Sequence, residues 1–395
     1  MWNLDSRLID SLITPLLIPG AESDPGLVFA AAAWSYLVEP GDRIAGSLIR
    51  ERGAKDALTS IIERPPASDL AVESVSAAEM AEAQARWEPR LDSAAFERCL
   101  RSAASINAKL VLPNDSVWPS GLDDLRIFGP QVLWVRGDVT RLPLKDTAVS
   151  IIGARASTGY GEHVAMDLTA GLVSVGYTIV SGGAYGIDGM AHRAALACGG
   201  NTVAVLAGGV DRLYPAGHEE LLRRIIENGV VVSEVAPGGA PTRWRFLQRN
   251  RLIAAISAAT VVVEAGQRSG SLNTAGHALE LERPIGVVPG PVTSGSSAGC
   301  HRLLRENPAT RLVTGVRDVL ELLTGEFGGP DYLEGASPEQ TRVLDALQAK
   351  KGKQVSEISA TAGMSVSRVM AIMGELELAG KAKFGEAGWL LAGAR

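Results

Sequence analysis

The chain has 395 residues, 46% apolar and 21% charged, which is enough to bury more than one core and excludes a disordered or fibrous protein. Glycine and proline together make about 16%, the level of a turn-rich α/β protein, and no repeat period shows. The net charge of −6 argues against a polyanionic partner for the molecule as a whole. It is unevenly spread, with 11 cations against 16 anions over residues 1–110, 19 against 22 over 111–335 and 8 against 6 over 336–395, so any basic surface has to be local.

The first predicted elements are helical. Alanine-rich amphipathic stretches at about 27–38, 42–62 and 74–106, divided by Pro40-Gly41 and Pro65-Pro66, predict an N-terminal helical domain over residues 1–108. Its longest apolar run, Leu27 to Val38, is too short to span a bilayer, and the opening ten residues carry Asp5 and Asp10 where a secretory signal is basic, so a cytoplasmic protein is expected. Cys99, Cys198 and Cys300 are isolated and the five histidines lack ligand spacing, so neither a disulfide framework, a metal site nor any other cofactor is expected. No G-x-S-x-G nucleophile elbow is present.

From Lys109 the texture changes to short runs rich in valine and isoleucine, each ending in small residues and followed by a helical pattern. The runs are 148–153, 177–183, 202–209, 230–235, 259–266 and 284–290. Continuous apolar strands alternating with helices predict an extended Rossmann-like, doubly wound parallel sheet over residues 109–325. Gly, Pro and acidic residues at 326–337 predict a linker. Helical patterns at 338–349, 355–362 and 366–379, with a hairpin pattern in 381–392, give the element order of a winged helix over 338–395. Its third helix offers Ser365, Ser367 and Arg368 but also Glu375 and Glu377, which leaves duplex binding and protein contact both open.

In open α/β sheets ligands bind at the carboxyl ends of the strands. The first loop there, Gly153-Ala154-Arg155-Ala156-Ser157-Thr158-Gly159, joins small residues and a helix N-terminus to an arginine suited to phosphate, although a tight turn without a ligand has the same composition. It is not a dinucleotide fingerprint, because Arg155 stands where the second glycine belongs and the next strand ends in Ser181-Gly182-Gly183 without an acid for the ribose. In the second loop, Ser181 to Asp188, Gly186 precedes a helix whose first turn holds Asp188; that acid either complements the helix dipole or serves the site. His192 reads as a scaffold histidine. The third loop ends in Tyr214-Pro215, where the ring either stacks on a base or closes the loop.

The fourth loop is the most basic stretch. No acid lies between Val235 and Val263, while Arg243, Arg245, Arg249 and Arg251 alternate with Trp244 and Phe246, a pattern that suits unpaired nucleotides. With 30 arginines to 8 lysines in the chain, a solvated cluster is the competing explanation. The fifth loop sets Ser269-Gly270-Ser271 at a helix start as a phosphate nest, with Glu264 at the strand end either as a general base or as a holder of loop amides.

Taken in order, GAR-x-S-x-x-G (153–159), SGGAYGIDGMAH (181–192), AVLAGGVDRLYP (204–215), SE (233–234), FLQRNRLIAAIS (246–257), VVVEAGQRSGSLNTAGHALE (261–280) and VPG (288–290) closely resemble the DNA-processing protein A (DprA, Smf) family over about 109–320. The resemblance implies a bacterial cytosolic protein, not an enzyme, that binds single-stranded DNA on an extended Rossmann fold, forms a homodimer and loads RecA recombinase in natural transformation. It also implies the flanking parts, an N-terminal domain of the SAM or helix-hairpin-helix kind and a C-terminal winged helix. Carried over by position, the DNA-binding arginine is Arg155, the glycine-lined pocket is Ser181, Gly182 and Gly186, the RNR motif is Arg249-Asn250-Arg251, and the SGS is Ser269-Gly270-Ser271. Tyr185 replaces a usual basic residue, and 296–313 departs from the commoner form while leaving room for a further sheet segment.

The expected mechanism lays a single strand across the carboxyl edge. Its phosphates meet Arg155, the amides of the 153–161 and 269–274 loops and one or both of Arg249 and Arg251, while bases stack on Tyr214 or Phe246. The alternative is a nucleotide-binding or phosphoribohydrolase-type enzyme of a related Rossmann-like group, with Glu264 and Arg249 or Arg251 imitating a catalytic pair; the PGGxGT loop of that group is absent.

Overall fold

The protein is described from a computed structural model, which covers residue 2 and residues 5–20, 23–325, 337–348, 351–378, 380–385 and 387–392. It divides into two compact units, Met1–Gly325 and Glu326–Arg395. The linker expected at 326–337 lies, apart from Ser337, outside the described residues.

The N-terminal helices start where a short polar side chain can hold the free amides. Asp5, Asp24 and Asp42 cap Ser6–Ile13, Pro25–Leu37 and Arg43–Arg52, Ser76 forms a capping box with Glu79 at Ala77–Trp87, and Asp92 caps Ser93–Ser105. The stretch expected as one helix at 42–62 is two, because Gly53 takes φ +80° between Arg43–Arg52 and Ala54–Ile62. These helices do not bury their apolar faces among themselves alone: Leu110, Trp134, Leu222 and Ile225 belong to the same core, and the buried Trp134 donates its Nε1 to Ser35 Oγ at 2.9 Å. The change of texture at Lys109 is therefore a change of secondary structure inside one compact unit.

The sheet of this unit has nine strands among the described residues: β1 (Lys109–Val111), β2 (Leu133–Gly137), β3 (Ala148–Ile152), β4 (Thr178–Ser181), β5 (Thr202–Val205), β6 (Val230–Ser233), β7 (Ala259–Val262), β8 (Ile285–Val287) and β9 (Thr310–Leu312). Their order is β1-β2-β6-β5-β4-β3-β7-β8-β9, parallel from β6 to β9 and antiparallel where β2 meets β6 and β1 meets β2. Strands β3 to β8 are the six apolar runs, buried throughout because helices cover both faces: Gly159–Ser174, Ile187–Ala197 and Val316–Thr324 on one side, Arg243–Ile256, Ser271–Glu280 and Ala298–Glu306 on the other. The chain winds from β3 outward to β6, then returns to add β7 on the other side of β3. That switch of direction opens a crevice at the carboxyl ends of β3 and β7.

The second unit has helices Pro338–Ala346, Val355–Ala362 and Val366–Leu378 and an antiparallel hairpin, β10 (Ala382–Gly385) with β11 (Gly388–Leu391), around a core that includes Val343, Ile358, Ile372 and Leu376. This is the winged-helix order expected from the sequence.

Candidate nucleic-acid interface

The crevice is a groove of about 450 Å³ whose walls come from the loops after β3, β4, β5, β6 and β7. One buried carboxylate ties the first two loops together. Asp188, in the first turn of Ile187–Ala197, accepts the Gly182 amide at 3.1 Å and those of Ala184 and Gly153. Burial pushes its carboxyl above the usual range, opposed by Arg249 and the three amides. Asp188 is thus a positioning residue, which the sequence left undecided. Gly186 takes φ +73° at the start of the same helix, and a Cβ there would stand 2.2 Å from the Ala154 carbonyl oxygen, so only glycine lets the two loops touch.

The helix Arg243–Ile256 is capped by Thr242 Oγ1, and its four arginines have different fates. Arg251 is 4% exposed and donates from Nη2 to both oxygens of Glu234, at 2.8 and 2.7 Å. Its charge is met by Glu234, and of the two arginines of RNR it is Arg249 that lines the groove. Arg245 is likewise occupied, bonding both oxygens of Glu39 at 2.9 and 2.8 Å, with Arg90 on the same carboxylate. Half of the basic cluster is therefore neutralised internally by acids 17 and 206 positions away. Arg243 is exposed and lines the groove. Arg249 is buried in the groove wall, its Nη1 donating to the carbonyls of Gly182 and Val205, both at 2.6 Å, and its Nε to Asn250 Oδ1 at 3.2 Å. Burial lowers its pKa to about 10, with Asp188 opposing and Arg155 adding, so it keeps its charge at neutral pH.

Phe246 gathers the groups that face the groove. The Arg155 guanidinium stands 5.0 Å from its ring centroid, that of Arg249 5.7 Å, and the Tyr214 ring lies 5.8 Å away at 57°. With two cations over it, the Phe246 ring orients guanidiniums rather than bases. Tyr214, 48% exposed, is the open ring.

The groove brings together Gly153, Arg155, Tyr214, Phe246, Arg249, Asn250, Gly270 and Ser271, and adds Asp188 and Arg243. The other expected residues stand beside or beneath it. Ser157 Oγ donates to Glu162 at 2.8 Å, and Gly159 opens its helix. Buried Ser181 donates to the Ile151 carbonyl at 2.7 Å, a structural bond. Gly182 leaves room for Arg249, whose Nη1 would lie 2.2 Å from a Cβ. In the fifth loop Ser269 and Ser271 share a hydrogen bond at 2.6 Å, and the amides of Ser269, Leu272 and Asn273 go to carbonyls of Gly266, Ser269 and Gly270. The nest is therefore largely closed on itself, and Asn250 braces it through Asn273 at 3.1 Å.

Glu264 accepts the Thr158 amide at 2.9 Å and its hydroxyl at 2.6 Å, holding the first loop. The glutamate–arginine pair of the hydrolase alternative is not formed: Glu264 serves Thr158 and Arg251 serves Glu234. His192 bonds Thr202 Oγ1 at 2.8 Å, and burial lowers its pKa to about 3, which makes it a neutral scaffold residue. Tyr185 accepts the Gly217 amide at 3.2 Å and packs edge-on against His218, so it braces the second loop.

Residues 109–324 match the family model of DNA recombination-mediator protein A, and residues 330–383 that of the DprA winged helix domain. The chain belongs to the DprA family. It is 42% identical over 386 residues to a DNA processing protein DprA of Mycobacterium tuberculosis, covering 92% of this chain and 95% of that one. The X-ray structure of DprA from Streptococcus pneumoniae superposes with a TM-score of 0.60 at 29% identity, covering 76% of this chain and 96% of that one. A Helicobacter pylori DprA structure described for its single-stranded DNA binding mode superposes at 0.50 with 28% identity, over 56% and 97%.

Proposed function

We propose that the groove at the carboxyl ends of β3 and β7 holds single-stranded DNA, and that the protein acts in the cytoplasm as a homodimer that protects incoming strands and loads RecA recombinase onto them in natural transformation. Binding, not turnover, is its activity. The core of 109–325 carries the strand, and the parts at 1–108 and 338–395 flank it. Family membership supports the reading, as does the single-stranded DNA named for the Helicobacter pylori relative.

The observation that carries it is the convergence of two guanidiniums and an open tyrosine ring on Phe246. Arg155, Arg243 and the free edge of Arg249 meet phosphates, while Tyr214 stacks on a base. Contacts of this kind hold the backbone and carry no sequence code, so affinity for different strands is similar.

Arg155→Glu tests it. Arg155 is exposed, so the variant keeps its melting temperature, and its affinity for labelled oligo-dT falls by about tenfold or more. Unchanged affinity in the folded variant rejects the groove as the binding site.

A further inference from the structure

The segment after β6 borders two cavities. Pro241 and Thr242 line the groove, while residues 235–239, with Arg245, close a second hollow of about 450 Å³ against the N-terminal helices Pro25–Leu37 and Ser93–Ser105. Ala95, Arg98, Cys99 and Ser102 turn one face of the latter helix into it, at the three- and four-residue spacing that puts side chains on one side. The charge of residues 1–110, 11 cations against 16 anions, gives no sign of such a place.

The walls are basic all the same. Arg90, Arg98 and Arg245 line them. Arg90 and Arg245 both bond Glu39, so one carboxylate meets two guanidiniums, and Arg98 is exposed with no hydrogen bond or ion pair to a described residue. Asp211 is the acid on the walls; it accepts the Gly238 amide at 3.0 Å and stands 4.0 Å from Arg212. Asp92, nearby, caps Ser93–Ser105. Counting Arg212 with the three lining cations, four guanidiniums are set against Glu39, Asp211 and Asp92.

Tyr36 adds a neutral donor. Its ring packs on Phe96 with the centroids 5.3 Å apart, and its hydroxyl bonds no described residue. Burial raises the pKa of that hydroxyl, while the charges of Arg98 and Arg90 pull it back, which places both guanidiniums close by. Ser102, one turn beyond Arg98, brings a second hydroxyl without a partner. A guanidinium joined by tyrosine and serine hydroxyls is a donor set for a phosphate.

We propose that this hollow binds a phosphate of the same single strand just beyond the groove, with Arg98, Tyr36 and Ser102 as its donors, so that the N-terminal helices form part of the DNA track. The inference rests on the groove reading given above. The strand is the ligand because the segment 235–242 runs from one cavity to the other, and a polymer held in the groove has to leave across one of its rims.

Labelled oligo-dT of about 5 and about 16 nucleotides separates the two sites, the short strand filling the groove alone. Arg98→Glu, at an exposed position that leaves the melting temperature alone, is expected to weaken the long strand by about fivefold and the short one not at all. Tyr36→Phe, which keeps the ring on Phe96, weakens the long strand by about twofold. Arg50→Glu, an equal change of charge at an exposed position outside the hollow, leaves both lengths as in the wild type, and Arg155→Glu weakens both. Wild-type affinity for the long strand in Arg98→Glu, an equal loss at the two lengths, or the same loss in Arg50→Glu overturns this site alone, as long as Arg155→Glu still weakens binding. A wild-type chain that binds neither length overturns the groove and this site together.

Discussion

Arg155 and Arg251 carry the same guanidinium, yet one stands open over Phe246 and the other is enclosed between the two oxygens of Glu234. Removing Arg251 leaves a carboxylate that burial already pushes toward protonation with no counter-charge. Arg251→Ala is expected to cost about 3–5 kcal/mol in urea unfolding, and a loss under about 1 kcal/mol would mean that the pair is solvated. His192 makes the fold sensitive to acid. Its folded pKa of about 3 lies below the ordinary 6.5, so the unfolded chain takes up a proton that the fold excludes. The contribution is intact above pH 6.5 and is lost as pH falls toward 3, at up to about 1.4 kcal/mol per pH unit. Urea melts between pH 4 and about 6.5 should show a slope that His192→Gln flattens; an equal slope in the variant would assign the acid sensitivity to other groups. The charges of single residues were the least legible part of the sequence. The four arginines of 243–251 look alike there, and only folding brings Glu39, 206 positions from Arg245, against one of them.

At the scale of elements, reading from the residues went furthest where burial is uniform. Strands β3 to β8 are covered on both faces, so they stand out as apolar runs between glycine-rich loops. Strands β1 and β2 gave no such signal. The first is three residues long, and the second includes Arg136 and Gly137 at the antiparallel margin. The loops that wall the groove stood out through their small residues, but Asp188 was not legible as the clasp between them, because its three amide partners come from two separate turns. Gly186→Ala tests that clasp. With φ +73° and a backbone oxygen 2.2 Å from the added carbon, it should lower stability by about 1–3 kcal/mol and weaken oligonucleotide binding together. Lost stability with intact binding would show that the second loop does not shape the groove.

For the whole molecule, a net charge of −6 is compatible with gripping a polyanion because several cations gather along the rim of the groove. Three of them, Arg155, Arg243 and Arg249, predict a log–log salt slope of about −2 for single-stranded DNA, shallower by about 0.7 in Arg155→Glu. A slope near zero would contradict an electrostatic grip. The most direct test is to find where the strand lies. An oligo-dT substituted with 5-iodouracil, bound to the full-length protein and irradiated, should give adducts that map to Tyr214 by peptide mass spectrometry and diminish when Arg155 is changed to glutamate. Adducts confined to residues outside the β3–β7 groove, with Tyr214 untouched, would contradict the account.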